Sequence, residues 1–263
     1  MKEQILLAGN WKMNKDIKGS LCFIEEFQEM AEKEDLFGKT GKKFEMAIFP
    51  QTVNLYALNQ KILDLKLPIL LGAQNIHWER SGALTGENSG SSVLEAGAKM
   101  ALVGHSERRH IFGETDEMTA RKYVSCVECG LRPVLCVGET EEEKSRGFTE
   151  KVLSRQLRSV FAPDRSSEEW GEIIIAYEPV WAIGTGKSAT SEDAAGSCDF
   201  IRNLLKGICS EKESQNAMIL YGGSVKSSNA AAFMENGSIN GLLVGGASLD
   251  PFEFMGILRA CGV

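Results

Sequence analysis

Short apolar runs recur along the chain, with polar amphipathic stretches between them. The runs begin near Ile5, Glu45, Ile69, Met100, Pro133, Ile173, Ala217 and Leu242, roughly 24 to 44 residues apart. Each interval has room for one strand, one helix and two loops, so the pattern predicts eight β/α units. The intervening stretches carry helical signals. Leu21, Phe23, Ile24 and Phe27 form a near-helical stripe, with Glu25, Glu26 and Glu29 off it. The stretch Asp116 to Val124 opens acidic and turns basic, as a helix dipole favours, and Glu139 to Lys144 reads as the solvated start of the fifth helix. Residues 37–43 and 162–170 read as surface loops. Strand and helix alternation alone allows a doubly wound sheet; a count of eight, with no linker or low-complexity tract, favours a single (β/α)8 barrel over residues 1–263.

The strand ends carry the chemistry. The run Ile173-Ile174-Ile175-Ala176-Tyr177 is apolar, β-rich and too short for a lone helix, which predicts a fully buried strand. It stops at Glu178, and Pro179 then removes a ladder hydrogen bond. A carboxylate against apolar neighbours has its pKa raised towards that of a general base. The loop that follows, with Trp181, Gly184 and Gly186, suits a hinged lid. Alone, the stretch reads equally well as a salt-bridged glutamate before an ordinary loop. The other ends decide the matter. The first strand runs into Asn10-Trp11-Lys12, the fourth into Gly104-His105-Ser106-Glu107, the seventh into Tyr221-Gly222-Gly223-Ser224 and the eighth into Gly245-Gly246. In a closed barrel Asn10, Lys12, His105 and Glu178 converge on one mouth, beside two Gly-Gly turns that offer backbone N–H groups where barrels commonly bind phosphate.

Composition narrows the partners. A net charge of −7 and a pI near 5.2 argue against nucleic acid, while a local cation still allows an anionic substrate. No run approaches the roughly 18 to 20 apolar residues of a membrane span, and neither end carries the pattern of a secretory signal or a targeting tail. The seven cysteines are odd in number and scattered through apparent core segments, which predicts reduced thiols in a cytoplasmic protein. Cys126 and Cys129 do form a Cys-x-x-Cys. It falls at a helix end, with no second pair or histidine cluster to complete a zinc site, so packing is the reading and no metal is expected.

Each candidate has a plainer alternative. Lys12 could be an ordinary surface lysine. Its place just past a strand end suits it instead to offset an anionic substrate, with Asn10 holding it or capping the turn. His105 could be a satisfied structural histidine. At a helix start, however, backbone N–H groups disfavour its protonation, and a neutral ring can still donate one N–H to a carbonyl. Glu107 is a supporting partner, and His77 and His110 lack such a setting. Gly184-Thr185-Gly186-Lys187 is neither a P-loop, since Trp181 stands where the first glycine belongs, nor a dinucleotide fingerprint, since Ala189 takes the third glycine's place. There is no Gly-x-Ser-x-Gly elbow.

Taken together, Gly9-Asn10-Trp11-Lys12-Met13-Asn14, Gly104-His105-Ser106-Glu107-Arg108-Arg109, Ala176 to Lys187, Tyr221-Gly222-Gly223-Ser224-Val225 and Leu243 to Leu249 resemble the motifs of triosephosphate isomerases, in order and across nearly the whole chain. The resemblance implies cofactor-free interconversion of dihydroxyacetone phosphate and glyceraldehyde 3-phosphate, in glycolysis and gluconeogenesis. Glu178 would remove the proton next to the carbonyl, neutral His105 would polarise the oxygens, and Lys12 with Asn10 would offset negative charge. Backbone N–H groups near Gly184, Ser224, Gly245 and Gly246 would hold the phosphate. Glu107 would support the site, and Trp181, Tyr221 and Ser224 would serve lid closure. The resemblance also implies a homodimer, with Thr85 on the loop from Gln74 to Glu87 reaching the partner subunit. The stretch Ile76 to Arg80 departs from the familiar pattern, as does Ser188, where threonine is common. Other phosphate-sugar barrels, such as aldolases or epimerases, would need a Schiff-base lysine or metal ligands. The non-enzyme alternative is a phosphate-binding or scaffold barrel.

Overall fold

Eight strands pair in sequence order, all parallel, and the eighth pairs back onto the first to close a barrel. They are β1 (Gln4–Asn10), β2 (Lys43–Phe49), β3 (Ile69–Ala73), β4 (Met100–Val103), β5 (Arg132–Val137), β6 (Ile174–Tyr177), β7 (Met218–Tyr221) and β8 (Gly241–Val244). This computed structural model describes residues 4–38, 43–161, 170–182 and 189–263. All eight expected strands are present and the doubly wound alternative is excluded. Residues 39–42 and 162–169, within the two expected loops, lie outside the described residues, as does 183–188.

The strand alternation sorts side chains into two cores. Leu6 and Ala8 of β1, Val134 and Cys136 of β5, and Ile174 and Ala176 of β6 fill the barrel interior. Their neighbours Ile5, Leu7, Leu135 and Ile175 face the surrounding helices. This parity matters for function. Asn10 continues the inward series of β1 and Glu178 continues that of β6, so both side chains enter the barrel axis at its C-terminal mouth.

The helices bury the faces that their spacing dictates. Helix Ile17–Glu34 starts where the Asp16 side chain accepts the Gly19 N–H. It buries Ser20, Phe23, Ile24, Phe27 and Ala31, each apolar member contributing up to roughly 1.5 to 3 kcal/mol over exposure. Leu21 is only partly buried, one position off that stripe. The helix Asp116–Cys129 has no basic residue in its last turn. Asp116 and Glu117 do occupy the first turn, as the dipole favours, but Lys122 is buried against Glu114 and Asn75, so the basic end of the pattern reflects a buried ion pair. In the charge run, only Glu141 to Lys144 begins a solvated helix; Glu139 is buried. Among the described residues no helix is long and apolar enough to cross a membrane.

Candidate active site

Asn10 and Lys12 are set by a turn that is tied down at several points. The Asn10 Oδ1 accepts the Lys12 N–H at 3.0 Å, and Gln74 Nε2 donates to the Lys12 carbonyl at 2.8 Å. Trp11 is fully buried between them, edge-on to Phe23, with its indole N–H on the Ser248 carbonyl. These bonds hold Lys12 at φ 52°, a left-handed conformation that costs a non-glycine residue about 1 to 3 kcal/mol. The result is a cation at the barrel mouth. Its Nζ lies 2.6 Å from Glu107 Oε1.

His105 follows Gly104, whose φ of 68° turns the chain sharply out of β4. It caps the short helix Ser106–His110, and its Nδ1 accepts the Glu107 N–H at 3.3 Å. The other ring nitrogen lies 2.9 Å from Glu178 Oε1 and 3.2 Å from Asn10 Nδ2. Glu178 is 2% exposed, and its second oxygen accepts the Ser106 N–H at 2.9 Å. Gly138 lets β5 pass this close, because a Cβ there would stand 1.7 Å from the Glu178 carbonyl oxygen. So a buried carboxylate, an imidazole, an amide and a cation meet at one point.

The electrostatics differ from the sequence expectation. Burial favours the neutral form of both Glu178 and His105, and is the largest influence on each. Their mutual attraction outweighs it. Glu178 is held below its ordinary 4.5 by His105, the Ser106 N–H and Lys12, and His105 is lifted above 6.5 by Glu178 and then Glu107. The carboxyl expected to be raised is therefore lowered, and the imidazole expected to be held down is lifted, because the two groups face each other directly. The Glu107 N–H works against ring protonation, since it needs a lone pair on Nδ1. At 3.3 Å it is weaker than the 2.9 Å contact to Glu178.

Asn10, Lys12, His105 and Glu178 form one wall of a cavity of about 580 Å³. The turn from Gly222 to Lys226, Leu243 and the turn from Gly245 to Ala247 complete its lining, with Gly222 close to Glu178 and Gly245 close to Lys12. Ser224, Gly245 and Gly246 thus line the same cavity as Lys12 and Glu178, and Gly246 opens a 3-10 turn running to Leu249. Glu107 lies behind Lys12 and His105 and lines a second cavity of about 340 Å³. Tyr221 is buried and stacked on Phe233, with its hydroxyl under Gly223. Thr85 sits in an exposed turn away from the main cavity, and Gly184 falls outside the described residues. His110 is exposed, and His77 is a loop residue whose Nδ1 accepts the Glu79 N–H. Among the described residues no group of three His, Cys, Asp or Glu side chains has the arrangement of a metal site.

Glu139 was missed by sequence reasoning. It accepts the Trp181 indole N–H at 2.9 Å and the Tyr177 hydroxyl at 3.1 Å, so it brackets Glu178 from both sides along the chain. Burial lifts its carboxyl above the ordinary value, while those donors and Lys144 pull it down. Its position directly after Gly138, at a strand end, was the available signal, but the charged run from Glu141 to Lys144 that follows disguised it.

The family model described as triosephosphate isomerase matches residues 5–261. The triosephosphate isomerase of Aquifex aeolicus (strain VF5) is 46% identical over 253 residues, covering 96% of this chain and 98% of that protein. That of Dictyoglomus turgidum (strain DSM 6724 / Z-1310) is 42% identical over 255 residues, covering 97% and 98%.

Proposed function

The chain belongs to the triosephosphate isomerase family, and from that premise we propose how its barrel mouth interconverts dihydroxyacetone phosphate and glyceraldehyde 3-phosphate. The ionised Glu178 takes the proton from the carbon beside the carbonyl. The C–H pair becomes the carbon–carbon double bond, and the carbonyl pair moves onto oxygen. His105 donates to that oxygen, and Lys12, placed by Asn10, offsets its charge. The hydroxyl proton of the first carbon passes by way of His105 to that oxygen, the O–H pair becomes the new carbonyl, and the carboxyl returns its proton to the neighbouring carbon, so no electron acceptor is consumed. Substrate between Glu178 and His105 removes the contact that lifts His105. The Glu107 N–H then favours a neutral ring, which is the form able to donate without carrying charge away. Backbone N–H groups at Ser224, Gly245 and Gly246 hold the phosphate, as the N-terminal end of a helical turn favours. The single observation carrying this reading is the 2.9 Å meeting of a buried carboxylate and imidazole beside a cation in a half-enclosed cavity.

Purified protein with no added metal or cofactor is expected to isomerise glyceraldehyde 3-phosphate, and a two-carbon phosphate carboxylate is expected to inhibit it. A folded protein without conversion would move the assignment to a phosphate-binding scaffold. Removing His105 tests the electrostatics. In His105→Gln, Glu178 loses the charge and hydrogen bond that hold it down while burial still pushes it up. Its pKa rises, so the acidic limb of kcat/KM moves to higher pH. That limb is read after correcting for titration of the substrate phosphate. A limb unmoved by the substitution would break the proposed coupling.

We read residues 1–263 as one catalytic unit that works as a cytoplasmic homodimer. None of the seven cysteines is in a disulfide among the described residues, which suits a reducing compartment. Met13, Ile111 and Phe112 are largely exposed apolar residues at or beside the second cavity, which Gly86 next to Thr85 also lines. Such a patch suits a second copy of the chain. Phe112→Glu should shift the protein to monomer in sedimentation and lower kcat by at least about tenfold, because Lys12 and Glu107 border the same cavity. A monomeric unsubstituted protein at micromolar concentration would remove the dimer from the reading.

A further inference from the structure

Lys144 stands outside the cavity walls but against a segment that leads to Glu178. It lies on the helix Glu141–Ser145, which is anchored by a reciprocal cap between Thr140 and Glu143. Its Nζ stands 3.6 Å from the centroid of the Trp181 ring. The edge of that ring donates to Glu139 at 2.9 Å, so an anion grips the indole N–H while a cation covers its face. The same Nζ is 3.7 Å from Asp193 Oδ1. Asp193 in turn closes the reciprocal cap with Thr190 that begins the helix Ser191–Ile208. Trp181 precedes residues 183–188 in the chain, and Thr190 and Asp193 follow them. One ammonium therefore reaches both flanks of that segment.

The two contacts do not weigh equally. The Lys144 and Asp193 side chains are 37% and 47% exposed, and an exposed pair at that distance contributes little. The Trp181 contact carries the consequence. The Val180 N–H donates to the Glu139 carbonyl at 3.1 Å and the Glu178 N–H to the Val137 carbonyl at 2.8 Å. Only Pro179, with its fixed φ, separates Glu178 from Val180. The side chain of Glu139 holds Trp181 and its backbone holds Val180, so the seating of Trp181 on Glu139 and the frame of Glu178 are one assembly.

We propose that Lys144 is a positioning residue for the isomerisation, pressing Trp181 onto Glu139 and so setting the backbone that aims Glu178. This rests on the reading of Glu178 as the base. A lysine with incidental contacts would leave turnover alone; a lysine that acts through Trp181 must lose its effect when the indole is absent.

The experiment measures kcat and KM for glyceraldehyde 3-phosphate, with melting temperature, in Lys144→Met, Lys144→Arg, Trp181→Leu and the Met/Leu double variant. Lys144→Met should lower kcat about three- to tenfold, and Lys144→Arg, which keeps a cation over the ring, should recover most of that loss. In the Trp181→Leu background the Met substitution should have no further effect on kcat. An unchanged kcat in Lys144→Met, a loss that Lys144→Arg fails to recover, or independent losses in the double variant would each overturn the proposal. Glu178→Gln serves as the control on the underlying reading. Should it keep its turnover, the base assignment fails; should it lose turnover while Lys144→Met is unaffected, the lysine assignment alone fails.

Discussion

Glu178→Gln is expected to lower kcat by about 10²- to 10⁴-fold, the range a positioned general base contributes, with the barrel intact. The amide matches the carboxylate in shape, so Gly138 and the β5 edge need not move. One amide oxygen can still accept the Ser106 N–H that now reaches Glu178 at 2.9 Å. What disappears is the negative charge assigned here to proton removal. His105 then loses the partner that lifts it above 6.5 and becomes easier to keep neutral. Because the phosphate would be held by backbone N–H groups of the Ser224, Gly245 and Gly246 turns and not by the Glu178 carboxylate, binding of glycerol 3-phosphate should change less than threefold. Circular dichroism and that binding constant separate a dead site from an unfolded one. A variant with kcat within tenfold of the parent would place the base on another residue.

Lys12→Met should lower kcat by about 10²- to 10³-fold and raise KM as well, because the lysine faces charge present in the substrate and charge that grows on the way to the enediolate. The left-handed backbone at residue 12 is held by Asn10 and Gln74 and does not depend on the ammonium. Methionine therefore inherits the same conformation with a stem of similar length. Glu107, left without its 2.6 Å partner, faces His105 Nδ1 at 3.7 Å and lifts the ring further. Lys12 itself pulls down both His105 and Glu178, so its loss raises both. The acidic limb of kcat/KM should shift upward in this variant too. Steady-state kinetics across pH checks all three effects together; an unchanged KM with kcat within threefold would leave the lysine a bystander.

Much of this was legible before folding. The eight β-rich runs, the carboxylate before Pro179, and Asn10, Lys12 and His105 just past strand ends required only periodicity and spacing. The inward parity of Asn10 and Glu178 also follows from alternation once strands are assigned. Other features were hidden for stated reasons. Glu139 sat in a run of acids whose other members are solvated. Lys122 looked like a dipole-matched surface charge, yet Glu114, whose second oxygen is buried without a partner, holds it inside. In both cases charge type suggested water, and partners brought into contact by the fold supplied what water would have.

The sequence by itself determined the strand count, the alternation that turns side chains inward, and the residue types that arrive at the barrel mouth, because these depend on local spacing and burial. Only the tertiary structure decided which way their titration is moved. Glu178 on apolar neighbours alone would be raised, but closure of the barrel sets it 2.9 Å from a histidine seventy-odd positions earlier, and that contact lowers it. Local patterns encode which groups are buried. The sign of a buried charge depends on what it faces, and that is known only when the strands have met.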